Sequence, residues 1–167
     1  MSCLGVLFSL DKDTVSKLKS FPTDNERLEF MQNEVEPSYF ENFPQRMAEL
    51  VQSWDALHRS LTDGKLTYTN GLFPLNHVIM GGEAIYNSDN YIMTLKTPEQ
   101  VKEIAAEVIK IDKNDFKNFY YKIDAVDYDF PLTEEDFEFT WEWFDLSKKF
   151  WKLALDEGRF VLFTADQ

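Results

Sequence analysis

The pattern of apolar and polar positions predicts a strand near each end of the chain. Residues 3–10 are almost continuously apolar and include Val and Phe, which is typical of a buried strand. Residues 159–164 have the same character, and residues 90–95 are a further strand candidate. We expect the first and last strands to be neighbours in the middle of a small sheet.

Helix starts are marked by capping residues. Thr97 is followed by Pro98 and by Gln100, a combination that favours a helix N-terminus with a reciprocal cap. Val101, Ile104, Ala105, Val108 and Ile109 follow at helical spacing. Four other residues open predicted helices in the same way: Asp11, for a short helix to Leu18; Thr23, in a capping box with Glu26; Asp112; and Thr133, with Asp136 at the reciprocal position.

The middle of the chain is less regular. Pro37 and Pro44 are expected to bracket an irregular link, and residues 45–61 to form a helix after it. Residues 62–73 and 124–132 are predicted loops, and a short helix is expected from Pro74 to Met80, ending at two glycines. The apolar stripe of the 45–61 helix consists of Met47, Leu50, Trp54, Leu57 and Leu61.

The last predicted helix, from about 133 to 157, carries two aromatic stripes. We expect it either to lie at the centre of the fold or to present one stripe to a partner. The first stripe is Phe137, Trp141, Phe144, Trp151 and Leu155, and the second is Phe139, Trp143, Leu146, Phe150 and Leu153.

Length and composition agree with these elements. The chain has 167 residues, of which 44% are hydrophobic, enough for one domain with a substantial core. The predicted fold class is therefore α+β: a single, mostly helical domain over residues 1–167 around a small sheet, with the first and last strands central.

The net charge of −13 narrows the classes of partner. Phosphate backbones and anionic membrane surfaces repel such a protein, so we expect neither nucleic acid nor membrane as a partner. No apolar run approaches the length of a membrane span, and the first residues lack the basic leader of a secretion signal. The single cysteine, Cys3, favours a reducing compartment, so the expected location is the cytoplasm.

Five features together resemble the YfbM-like family of uncharacterised bacterial proteins. The resemblance covers nearly the whole chain, most clearly from residue 47 onward, and it implies a single α+β domain without an established activity. The features are the opening strand with Gly5 and the acidic cap after it, the Ser53–His58 segment with Leu61 and Thr62, Pro74-Leu75 followed by residues 78–82, Tyr91 before residues 97–101, and the aromatic final helix with its closing strand.

One polar cluster is a candidate pocket. Trp54, Asp55, His58 and Thr62 share a helical face by their spacing. Asp55 is three residues before His58, within reach of a hydrogen bond that would orient the imidazole. The alternative is that His58 is a buried structural residue whose ring is hydrogen-bonded to a carboxylate or a backbone carbonyl. No nucleophile that would suit a catalytic role of His58 accompanies it in the sequence. We predict no catalytic residue, no metal site and no cofactor, because no phosphate-binding, zinc or calcium-loop motif is present.

A second candidate is the acidic segment 124–145, which contains nine acids and neither Lys nor Arg. With its interleaved aromatic residues it forms a candidate docking face for a basic protein; its alternative is a solvated acidic edge. The residues assigned to this face are Asp124, Asp127, Asp129, Glu134, Glu135, Glu138 and Glu142. The leading hypothesis is a non-enzymatic binding module for a basic protein, such as an inhibitor or immunity-type protein. The alternative is an enzyme or small-molecule binder with a pocket around His58.

Overall fold

In a computed structural model, which describes residues 3–167, an antiparallel sheet of five strands has helices on both faces. The strands follow the order β2-β1-β5-β4-β3, so the first and last strands are central, as predicted. Their bounds are β1 Gly5–Leu10, β2 Met47–Val51, β3 Glu83–Ala84, β4 Tyr91–Lys96 and β5 Phe160–Asp166.

Seven α-helices lie in the described chain, and the five predicted caps are all present. The side chains of Asp11, Thr23, Thr97, Asp112 and Thr133 each accept a backbone N–H of the first helical turn. The helices are α1 Lys12–Ser20, α2 Asp24–Phe30, α3 Glu36–Asn42, α4 Trp54–Leu61, α5 Pro98–Lys110, α6 Lys113–Tyr120 and α7 Glu134–Glu157.

The sheet separates two apolar cores because successive strand residues face opposite sides. Leu7 and Phe163 face the core made with α4–α7, whereas Phe8 and Leu162 face the core made with α1–α3. The α+β class is thus confirmed, with the sheet as the middle of three layers.

Helix α7 covers one sheet face mainly with its first stripe. Phe137, Phe144 and Trp151 of that stripe are buried, while Trp141 is half-buried. In the second stripe Phe150 is buried, but Leu146 retains 47% of its exposure. The outer part of this stripe is therefore uncovered by the described chain.

The prediction of one helix over residues 45–61 is wrong in its first half. Residues 47–51 form β2, and only Trp54–Leu61 is helical. Met47 and Leu50 are both buried, but on opposite faces of the strand and in different cores. Their three-residue spacing imitated a helical stripe because both faces of the strand are covered by an apolar core, so residues on each face are buried.

Pro37 does not open an irregular link. It lies in the first turn of α3, which a π turn over Met31–Val35 joins to α2. The N–H of Glu36 bonds to the carbonyl of Met31, five residues back. This widened turn admits the proline ring, which an uninterrupted α-helix would exclude.

The short helix expected from Pro74 to Met80 is reduced to one 3-10 turn, Leu75–His77. Among residues 3–167, no helix is both long enough and apolar enough to cross a bilayer.

Candidate functional site

A pocket of about 200 Å³ opens at one end of the sheet, on the side of α1–α3. Polar and acidic side chains interrupt its otherwise apolar wall, which distinguishes it from the apolar core beside it. Its lining residues are Leu4, Gly5, Val6, Gln32, Glu36, Phe40, Glu49, Val51, Tyr91, Thr164 and Asp166. We call it the acidic pocket.

Strand register brings the floor of the acidic pocket together. Val6 is opposite Glu49 on one side and Thr164 on the other, so these three side chains form a row across the sheet. Tyr91 is opposite Asp166 on the neighbouring pair of strands. Residues far apart in sequence thus face one cavity because the first, second, fourth and fifth strands all reach this end of the sheet.

The helical wall of the acidic pocket comes from the π turn and α3. Gln32, Glu36 and Phe40 are spaced by four residues and border the cavity. The neighbouring stripe, Met31 and Tyr39 among others, enters the core. The π turn therefore sets the rotation of the helix that aims Glu36 at the end of the sheet, and π turns are frequent at functional sites.

Glu36 is the electrostatic centre of the pocket. It is half-buried, and no Lys, Arg or His among residues 3–167 forms an ion pair with it. Burial raises the pKa of its carboxyl above the ordinary value, and the nearby Asp166 carboxylate raises it further. A carboxylate held in this way gains from any cation that enters.

Asp166, at the floor of the pocket, is held by the chain. The backbone N–H of Leu4 donates to Oδ1 of Asp166 at 2.6 Å. Opposite Asp166, the Tyr91 side chain is buried, and burial raises the pKa of this phenol well above its ordinary value. Sheet pairing and this bond therefore fix the floor of the pocket.

Val51, at the rim, has a positive φ of 47°, in the left-handed region that a β-branched residue rarely adopts. It belongs to the bulge at which Leu50 and Val51 together face Gly5. The bulge turns Leu50 into one core and leaves Val51 in the wall of the acidic pocket. Strain of this kind is concentrated at functional sites.

This arrangement suits the binding of a positive group. Three carboxylates, from Glu36, Glu49 and Asp166, border a cavity at whose mouth Phe40 presents a half-exposed ring. Within residues 3–167, no group of three or more His, Cys, Asp or Glu side chains has the arrangement of a metal site.

The structure places the predicted pocket residue His58 inside the protein. Its ring is fully buried, and Nε2 donates to the carbonyl of Thr67 at 2.9 Å and to Oδ1 of Asn70 at 2.8 Å. Nδ1 accepts the N–H of Met80 at 3.5 Å. Burial lowers the pKa of His58, outweighing these hydrogen bonds. The neutral ring holds the 62–73 loop against the segment after it.

Asp55 is not the partner of His58, contrary to the expected hydrogen bond. Its carboxylate pairs with Arg59, one helical turn later, at 2.5 Å, and Arg59 also reaches Asp127 at 2.6 Å. The guanidinium attracts Asp55 more strongly than a neutral imidazole can. Trp54 packs against Gly5 and donates its indole N–H to the carbonyl of Cys3.

Thr62, the last member of that cluster, donates its hydroxyl to the carbonyl of His58. His58 does not line the shallow cavity beside Thr62. The residues that line this cavity are Ser60, Leu61, Thr62, Asp63, Gly71, Leu72, Leu75, Phe119 and Lys122. The four residues therefore do not form one pocket: His58 and Thr62 belong to a junction between α4 and the loop after it, whereas Trp54 and Asp55 bond elsewhere.

Lys96, a residue that the sequence did not single out, is also buried near this junction. Its ammonium donates to the carbonyl of Ile79 and to the Thr94 hydroxyl, and it lies 5.5 Å from the centre of the Phe163 ring. Burial lowers its pKa well below the ordinary value. Like His58, it is satisfied by the chain.

The acidic segment 124–145 is less negative in space than in sequence. Three of its acids pair with bases from other elements: Asp127 with Arg59, Glu134 with Lys117, and Glu138 with Lys113. A fourth, Asp145, pairs with Lys148 of its own helix, just beyond the segment. The Asp136 carboxylate accepts the hydroxyls of Tyr120 and Tyr128 instead of completing a capping box.

The remaining acids of the segment are dispersed. Asp124 accepts the N–H of Val126, and Asp129, Glu135 and Glu142 are exposed without a salt bridge to residues 3–167. The assumption that this segment lacks compensating bases is therefore wrong. Three of the bases come from α4 and α6, which are distant in sequence, and the fourth, Lys148, lies just beyond the segment.

Sequence reasoning missed the acidic pocket because its residues come from five separate segments. One signal was present: Gln32, Glu36 and Phe40 repeat every four residues beside the apolar repeat of Met31, Val35 and Tyr39. The assumption that Pro37 breaks the helix prevented its use.

Comparison with known proteins agrees with the fold. The model of a domain of unknown function, DUF1877, matches residues 1–164. No curated protein matches the chain. The crystal structure of YfbM from Escherichia coli, a protein of unknown function, superposes with a TM-score of 0.66 at 16% identity, covering 97% of this chain and 99% of that one. The chain thus belongs to the DUF1877 family, which confirms the YfbM-like resemblance of its sequence.

Proposed function

We propose that this protein is a non-enzymatic binding module whose acidic pocket receives a Lys or Arg side chain of a basic protein. The observation that carries the proposal is the Glu36 carboxylate, which is half-buried, lies near Asp166 and forms no ion pair with a base within residues 3–167. A cation at this place would relieve the repulsion between the two carboxylates.

The size of the pocket favours a single side chain over a larger ligand. Pockets for drug-sized molecules and cofactors occupy about 300–1,000 Å³, whereas the acidic pocket holds about 200 Å³. An Arg or Lys side chain is long and narrow enough to enter, and Phe40 offers a ring face to its charge.

The net charge of −13 supports a basic protein as the source of that side chain, since it steers positive surfaces toward the domain. An inhibitor or immunity-type protein would act in this way, by occupying a basic residue of its target. The single cysteine favours a reducing compartment, and we place the interaction in the cytoplasm. The alternative site around His58 has no comparable observation in its favour, because that ring is buried and fully hydrogen-bonded.

The test uses a small cation in place of the unknown partner. N-acetylargininamide is titrated into the labelled protein while backbone amide shifts are followed, and the citrulline analogue serves as a neutral probe of the same shape. We expect weak, saturable binding of the arginine probe, with shifts centred on Gln32, Val6 and Thr164, which line the pocket. The citrulline probe should produce no such shifts.

Two variants locate the effect. Glu36→Gln removes the charge from the pocket, whereas Glu34→Gln removes one from the same turn outside it, where Glu34 pairs with Lys17. Binding should weaken at least about tenfold in the first variant and stay unchanged in the second. Equal binding by both probes, or by Glu36→Gln and the unchanged protein, would refute the proposal.

A further inference from the structure

The two edges of the sheet differ in how well they are protected. The edge strand β3 has only two residues, and its Glu83 is ion-paired with Lys19. The opposite edge strand, β2, has five residues and a neighbouring strand on one side only. An open edge of this length presents unpaired backbone groups to any extended segment.

Helix α7 projects past this open edge. Between β2 and the second stripe of α7 runs a groove of about 510 Å³, in which Leu146 is 47% exposed. We call it the edge groove, and its lining residues are Pro44, Gln45, Met47, Ala48, Glu49, Trp143, Leu146, Ser147, Lys149, Phe150 and Leu153. A strand added beside β2, about 4.8 Å away, would border this apolar groove.

The edge groove and the acidic pocket meet at β2. Glu49 lines both of them. Because side chains of a strand alternate between faces, one set from an added strand would enter the apolar groove and the other would face the acidic side. Lys149, at the rim of the groove, would repel a basic residue on the α7 side and so favours this arrangement.

We propose that β2 accepts an extended segment of the basic partner as a sixth strand, in which apolar side chains beneath α7 alternate with Lys or Arg side chains directed to the acidic pocket. The inference rests on the proposed function through the shared Glu49. A second copy of this chain suits the edge poorly, because its own β2 carries Glu49 and each copy bears a net charge of −13.

The test compares two synthetic peptides of one composition. In the first, valine and lysine alternate; in the second, the same residues are grouped so that no strand face is purely apolar or purely basic. Affinity is measured by calorimetry, and hydrogen exchange of the β2 amides reports strand addition. We expect the alternating peptide to bind at least about tenfold more tightly and to slow exchange in β2.

Matched variants assign the effect to the edge groove. Leu146→Glu places a charge in the groove, and Ile109→Glu does so at an equally exposed apolar position on α5, the two side chains being 47% and 45% exposed. Leu146→Glu should weaken the alternating peptide at least about tenfold, and Ile109→Glu should leave its affinity unchanged.

The outcomes separate the two proposals. If N-acetylargininamide binds at Glu36 but the two peptides bind alike, or Leu146→Glu has no effect, the sixth strand is refuted while the pocket stands. If the alternating peptide binds and depends on Leu146 but not on Glu36, strand addition stands and the basic side-chain site is refuted. Self-association that Leu146→Glu abolishes in the absence of peptide would assign the edge to a second copy and overturn the inference.

Discussion

The domain has two polar sites, the acidic pocket and the His58 junction, where Thr67, Asn70 and Met80 are hydrogen-bonded to the His58 ring. The two sites differ in whether groups of the chain itself satisfy their charges and hydrogen bonds. Both ring nitrogens of His58 have partners within the chain, and its pKa is lowered so that the ring stays neutral. The carboxylate of Glu36 has neither an ion pair nor a hydrogen bond within residues 3–167, and it faces a cavity.

The difference teaches how to distinguish a structural polar group from a binding group. A buried polar side chain with all its partners in the chain holds elements together, and removing it costs stability. A carboxylate that the fold buries without a cation costs stability while it is there, and a ligand can recover that cost. Mutation should therefore have opposite consequences at the two sites.

The largest expected effect is at the His58 junction. His58→Ala should lower the free energy of unfolding by about 2–4 kcal/mol, because Asn70, Thr67 and Met80 lose a buried partner. His77→Ala is the matched control, since His77 is only half-buried and its ring bonds the adjacent Asn76. Urea denaturation should give a much smaller decrease in the free energy of unfolding for the control. Equal decreases would contradict a structural role of His58.

Glu36→Gln should act in the other direction. Replacing the carboxylate by a neutral amide of the same shape relieves desolvation and repulsion from Asp166, so we expect equal or slightly greater stability, by less than about 1 kcal/mol. Thermal denaturation of the variant beside Glu34→Gln checks this. A clear loss of stability in Glu36→Gln would show that the carboxylate supports the fold.

The two sites should also give pH dependences of opposite sign. The pKa of His58 is below its ordinary 6.5 in the folded state, so the unfolded state binds more protons and stability falls as the pH drops below about 6.5. The pKa of Glu36 is raised above 4.5, so the folded state binds more protons and stability falls as the pH rises above about 4.5.

Difference measurements isolate these two slopes. The stability of Glu36→Gln relative to the unchanged protein should increase between pH 4 and pH 6, and that of His58→Gln should increase as the pH falls below about 6.5. Chemical denaturation at a series of pH values gives both curves. Parallel curves for the unchanged protein and either variant would show that the substituted group does not contribute to the pH dependence of stability.

The smallest expected effect concerns the strained rim. Val51→Gly relieves a positive φ of 47° that glycine adopts freely, but removes a side chain from the pocket wall. We expect a change in stability below about 1 kcal/mol and weaker binding of the arginine probe. Stability reduced by several kcal/mol would mean that Val51 supports the core and not the pocket.

Much of the fold was predictable from local signals. Caps such as Thr97 and Asp112 act over three residues, so the sequence displays them directly. The central position of the first and last strands followed from their apolar runs. The edge strand β2 did not, because cores on both of its faces bury Met47 and Leu50 at a spacing that also fits a helix.

The sites were harder to predict because they depend on contacts distant in sequence. Helical spacing brought Asp55 and His58 to one face, yet Arg59 and Asn70 decide which group each of them binds. Lys113 and Lys117 neutralise acids about 20 residues later in the chain. The acidic pocket requires the register of four strands, and nothing local specifies it.

The most direct test of the central claim is a pH titration of the Glu36 carboxyl carbon by NMR, with and without N-acetylargininamide. We predict a midpoint above the ordinary value of 4.5 in the free protein, because the carboxylate is desolvated and faces Asp166, and a lower midpoint with the probe bound. A midpoint at or below 4.5 in the free protein, or one that saturating probe does not lower, would contradict the assignment of this pocket to a positive side chain.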